Sequence, residues 1–115
     1  MKEFVLIFRH SNKDTAKPSP EQMQERMNWL GGIAAQNKLA DKGKTLSISS
    51  AKTVKPNNVV TDGPYTEIKE FISGFMIVKT ETIDDAVELA KANPIFKIGG
   101  NVEVREVMVP PDVKK

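Results

Sequence analysis

The sequence predicts an α+β fold, an antiparallel sheet carrying two helices, from three observations. Complete helix-start signals occur at Ser19 and at Thr82. Runs rich in β-formers lie before, between and after the two helical segments. They give the order β-α-β-β-α-β with a hairpin inserted in the middle. The longest of these runs, residues 71–80, is apolar on both of its faces, which bears on assembly as well as on fold.

Phe4-Val5-Leu6-Ile7-Phe8 is bounded by Arg9-His10-Ser11-Asn12 and reads as the first strand. The first helix starts with Ser19 at N-cap, Pro20 at N1 and Gln22 at N3, the components of a capping box. Met23, Met27, Leu30 and Ala34 follow at helical spacing as its predicted apolar stripe, widened by Trp29 and Ile33. Gly31-Gly32 should cost roughly 1 kcal/mol each relative to Ala. Close packing against another backbone is the expected reason for tolerating them, and the helix should fade near Asn37-Lys38.

Residues 46–54 read as one or two short strands. Lys55-Pro56-Asn57-Asn58 has turn chemistry, so Val59-Val60-Thr61 should pair back across it as a hairpin. Residues 71–80 form the long strand, with Gly74 at a bulge. Thr82 caps the second helix, with Asp84 and Asp85 facing the positive end of its dipole. Ala86, Val87, Leu89 and Ala90 supply its apolar face, and Asn93-Pro94 stops it. Gly99-Gly100 turns the chain into a last strand over residues 102–109. This is the ferredoxin-like plan, with both helices on one face of the sheet.

That plan leaves a physical problem. A sheet with one wet face should alternate apolar and polar residues. The first strand is apolar throughout. In the long strand Phe71, Phe75 and Ile77 alternate with Ile72, Met76 and Val78. Two helices cover one face only, and the other would be a larger apolar patch than soluble monomers usually expose. A second copy packed sheet to sheet resolves this, giving a homodimer with a closed, barrel-like core, a dimeric α/β barrel.

Composition narrows the function. At 115 residues the chain is one domain, residues 1–115, and 39% hydrophobic with 28% charged content is ordinary for a soluble protein. Lys plus Arg number 17 against 15 Asp plus Glu, and no basic block supports nucleic-acid binding. There is no cysteine, which removes disulfides, thiolate metal sites and cysteine nucleophiles together. The apolar run at residues 4–8 is too short for a signal h-region or a membrane span, so a cytoplasmic location without membrane contact is the expectation. His10 is the one histidine, and no metal, P-loop, dinucleotide or Ser–His–Asp spacing is present. No metal and no cofactor are therefore expected.

The stretches VTDGPYTEIKEFISGFMIVK and DDAVELAKANPIFKIGGNVEVREV closely resemble the DGPF branch of the YCII-related family. The signature Asp-Gly-Pro-Phe stands here as Asp62-Gly63-Pro64-Tyr65, and MKEFVLIFRH with the first helix extends the resemblance over nearly the whole chain. It implies a dimeric α+β barrel. It also implies, by analogy with isomerases and dehydrochlorinases of the same fold, a His–Asp pair in a cleft. The family's histidine sits on the first helix, which has no histidine here, so that pair does not carry over. Most members of the branch are uncharacterised, and some look like accessory proteins associated with extracytoplasmic-function sigma factors.

From the residues themselves, His10 is the candidate acid–base group, because an imidazole titrates near neutrality. Asp62 is the candidate carboxylate to orient it and stabilise its charged form. The plain alternatives are an exposed loop histidine and an aspartate that only shapes a turn. Tyr65 offers a phenol to a ligand or caps the core with its hydroxyl in water. Glu67 is either a polar cleft rim and proton acceptor or half of a weak surface ion pair with Lys69. Arg9, with Arg105, would clamp an acidic ligand or bridge a dimer. Two functions follow. One is a small-molecule-binding dimer with lyase- or isomerase-type acid–base chemistry on a polar organic compound. The other is a non-enzymatic accessory or regulatory protein in which the motif is scaffold.

Overall fold

The computed structural model describes residues 1–11, 19–47, 49–64 and 71–109. In chain order the elements are β1 (Lys2–His10), α1 (Pro20–Ala35), β2 (Leu39–Thr45), β3 (Lys52–Lys55), β4 (Val59–Asp62), β5 (Phe71–Thr80), α2 (Ile83–Lys91) and β6 (Asn101–Glu106). One sheet has the order β2-β5-β1-β6 with every described pairing antiparallel, and β3 and β4 form a separate hairpin. The fold is α+β with ferredoxin-like strand order, as expected.

Both helices start on their sequence signals. The Ser19 hydroxyl accepts from the Gln22 amide while the Gln22 side chain accepts from the Ser19 amide, closing the capping box. Thr82 accepts from the Asp85 amide at the start of α2. The core joins one sheet face to the helices: Phe4, Leu6, Met76 and Val78 pack against Ile33 of α1 and Ala86 and Ala90 of α2. Hydrophobic burial of these side chains, at about 25 cal/mol per Å² of apolar surface, holds the two layers together.

Five expectations change. First, α1 does not dock through its methionine stripe: Met23 and Met27 are 53% and 61% exposed, and Trp29, Leu30 and Ile33 face the core. Of the expected face, Leu30 with the widening residues Trp29 and Ile33 docks, while Met23 and Met27, one to two turns earlier, stay out of the core. Second, a Cβ on Gly31 or Gly32 would meet nothing within 4 Å, so close packing does not explain that pair. Third, the second strand is Leu39–Thr45, while of the described residues within 46–54 only Lys52–Val54 fall in a strand. The missed strand is a polar sheet edge with Asp41, Lys42 and Lys44 exposed, the pattern that protects an edge from further pairing. Fourth, β1 runs on to His10 and β6 ends at Glu106.

Fifth, the long strand carries its bulge one residue from the expected glycine. Phe8 pairs with Gly74 and Arg9 with Ile72, which leaves Ser73 as the extra residue. Alternation is interrupted there. Phe71 joins Met76 and Val78 in facing the same side as Phe4, Leu6 and His10, while Ile72 lies with Phe75 and Ile77 on the other. The face away from the helices therefore carries Val5, Ile7, Phe75 and Ile77, all half-buried, and Ile72, which is exposed. Among the described residues no helix is long and apolar enough to cross a membrane.

Candidate functional site

The hairpin builds an open cleft beside Asp62 and Gly63. The turn Pro56–Asn58 places Asn57 and Asn58 at φ 67° and 63°, left-handed values that asparagine tolerates. Pairing then sets Val54 opposite Val60 and Lys52 opposite Asp62, so all four side chains share one face. Lys52 Nζ donates to Asp62 Oδ1 at 2.6 Å. Gly63 is fastened to β3 from both sides: its amide donates to the Ala51 carbonyl at 2.7 Å, and its own carbonyl accepts from Thr53 Oγ1 at 3.0 Å. Its φ of +90° is one that L side chains rarely adopt, which is the physical reason for glycine after Asp62.

On the approach to β3, Ser47 Oγ accepts from the Ser50 amide at 3.0 Å and lies 3.3 Å from Ser49 Oγ. Between this serine loop and the motif lies a cavity of about 530 Å³, lined by Ser49, Ser50, Ala51, Lys52, Asp62 and Gly63. Among the described residues its lining offers one ammonium, one carboxylate and two hydroxyls. The Lys52 and Asp62 side chains are 66% and 90% exposed, so their ion pair is worth only about 0–1 kcal/mol.

His10 lies on the other sheet. It is the last residue of β1 and is buried, with its ring edge-on to Phe71 at a centroid separation of 4.8 Å. It is not an exposed loop residue: β1 continues through it, and the bulge at Ser73 brings Phe71 opposite. Arg9, on the opposite face of β1, pairs with Glu103 of β6. Arg105 Nε reaches the other oxygen of Glu103 at 3.9 Å, so two guanidinium groups share one carboxylate.

The structure thus gives His10 and Asp62 different neighbours, Phe71 for the ring and Lys52 for the carboxylate. Tyr65 and Glu67 lie outside the described residues. Lys52, Ser49 and Ser50 were not singled out by sequence reasoning, and neither was Glu103. The available signal was the hydroxyl-rich run Ser47-Ile48-Ser49-Ser50-Ala51-Lys52 leading into a hairpin that returns to the motif. Among the described residues no three His, Cys, Asp or Glu side chains gather as metal ligands.

A smaller groove of about 340 Å³ lies between the helices, where Trp29 Nε1 donates to the Leu89 carbonyl at 2.8 Å. That bond ties α1 to α2 and gives the tryptophan a packing role.

An uncharacterised protein of Rhizobium meliloti (strain 1021) is 25% identical over 113 residues, with 89% of each chain covered. The family model described as the YCII-related domain matches residues 3–110. With that match running over nearly its whole length, the chain belongs to the YCII-related domain family.

Proposed function

We propose that the chain works as a homodimer that binds a small polar organic compound in the cleft at Asp62 and carries out acid–base chemistry on it. The observation that carries this reading is the position of the signature motif. Asp62 and Gly63 form one wall of a polar cavity of about 530 Å³, within the size range of small-molecule sites. His10 is the proposed acid–base group and Asp62 the proposed carboxylate, with Arg9, Tyr65 and Glu67 as proposed ligand contacts; of the described members of this set Asp62 alone lines the cavity, and Arg9 lies on the opposite face of β1 from His10. Burial of His10 against Phe71 supports a placed imidazole rather than a solvated one. The half-buried apolar residues on the sheet face away from the helices, Val5, Ile7, Phe75 and Ile77, support the dimer.

A thermal-shift screen of polar metabolites against the wild type and His10→Gln tests it, because a ligand of the native state raises its apparent stability. Compounds that stabilise both proteins but are converted only by the wild type agree with this reading. Finding no stabilising compound, or equal turnover by both proteins, removes it.

The accessory-protein reading is favoured by a different observation, the exposed valines Val54, Val59 and Val60 on the hairpin. A regulatory partner such as a sigma factor would cover such a surface. Replacing Val54 and Val60 with threonine should then abolish partner capture and leave the small-molecule response intact.

A further inference from the structure

We propose that Lys52 is the anchor for a small oxyanion, a carboxylate or phosphate group on the ligand, and that Asp62 is the resident counter-ion which this ligand displaces. The inference rests on the cleft being a ligand site and assigns the chemistry of what enters it. The described lining consists of small and polar residues, Ser49, Ser50, Ala51, Lys52, Asp62 and Gly63, which suits a small polar molecule. Lys52 ends in an ammonium with three donors, and Asp62 Oδ1 takes one of them. The hydroxyls of Ser49 and Ser50 line the same cavity, so one oxyanion with several oxygens can accept from Lys52 and from serine together.

Anion is favoured over cation by two features. The described lining sets three hydrogen-bonding donors, the Lys52 ammonium and the Ser49 and Ser50 hydroxyls, against the single carboxylate of Asp62. Mobility points the same way. Asp62 is short and sits beside the fastened Gly63, whereas Lys52 swings on a four-carbon stem. The Lys52–Asp62 pair is exposed and therefore weak, so an incoming oxyanion displaces the carboxylate at small cost. Displacement has a consequence for the proposed chemistry: once the anion holds Lys52, the Asp62 carboxylate is released to act on the ligand's own proton or on a neighbouring donor.

The test is calorimetric titration of the full chain with inorganic phosphate and, separately, with malonate, at constant ionic strength. Wild type, Lys52→Met, Asp62→Asn and the control Lys55→Met are compared, the control removing the same charge from the opposite face of the hairpin. The expected result has three parts. Lys52→Met weakens binding about ten-fold or more, as loss of a charge-assisted hydrogen bond does. Asp62→Asn tightens it about two- to five-fold, the range of a weak exposed ion pair. Lys55→Met stays within about two-fold of wild type, since it only screens a distant charge. Tighter binding of phosphate than of malonate, or the reverse, identifies the anion class.

Binding lost equally in Lys52→Met and Lys55→Met overturns the site, because it shows only diffuse attraction. Suppose instead that the metabolite screen finds neutral or cationic ligands that depend on Asp62 and ignore Lys52. The oxyanion inference then fails while the small-ligand reading stands. If no compound of any charge binds, both fail.

Discussion

Gly43 shows how a single residue sets the position of a whole strand. It is buried in β2 at φ +71°, and a Cβ there would lie 1.6 Å from the Phe75 carbonyl oxygen. The Asp41 carboxylate accepts from its amide at 2.8 Å and holds the irregular turn of the edge strand. Gly43→Ala must therefore both strain the backbone and push β2 away from β5. The expected loss is about 2–3 kcal/mol, read as a lower urea midpoint. A change below about 0.5 kcal/mol would mean that β2 shifts without penalty. Nothing in the run Asp41-Lys42-Gly43-Lys44 announces this role, because the requirement comes from the neighbouring strand rather than from local chemistry. Lys52 escaped notice for a related reason: a lysine entering a hairpin is ordinary until its partner across the strands is known to be Asp62.

Among elements, the helices divide into what local chemistry determines and what packing determines. Ser19→Ala removes the acceptor for the Gln22 amide and disrupts the capping box, so it should destabilise the protein by about 1 kcal/mol. The measurement is denaturant midpoint together with far-ultraviolet circular dichroism, and an unchanged midpoint would show that the first turn of α1 contributes nothing. Such caps are legible in sequence because they involve residues three apart. The hairpin was legible for the same reason, since Pro56, Asn57 and Asn58 specify their own backbone. The docking face of α1 was not. Met23 and Met27 fit a helical stripe as well as Trp29 and Ile33 do, and only the position of the sheet decides between them. Trp29→Phe offers a check on the chosen face. It keeps most of the apolar area but loses the bond to the Leu89 carbonyl, so a loss of about 0.5–1.5 kcal/mol is expected from the same denaturation curves.

At the scale of the molecule, helices on one side of the sheet make two layers, and the protein is 21 Å in its shortest dimension against 45 and 41 Å in the others. The face away from the helices has an apolar centre, Val5, Ile7, Phe75 and Ile77, with Arg9 and Glu103 paired beside it. The first part of this pattern was readable from the sequence as strands too apolar for one wet face. Its membership was not, because the bulge at Ser73 exchanges Phe71 for Ile72. Under the proposed dimer, Ile77→Lys places a charge in the centre of the interface, where it has no partner and loses its water. In a monomer the same lysine would extend from a half-solvated face at little cost. Sedimentation at micromolar concentration separates the two cases. Wild type should sediment as a dimer, with a melting temperature that rises with protein concentration, and Ile77→Lys as a folded monomer whose melting temperature does not. A wild type that sediments as a monomer would leave this apolar face without the second copy that its composition requires, and the dimer would have to be given up.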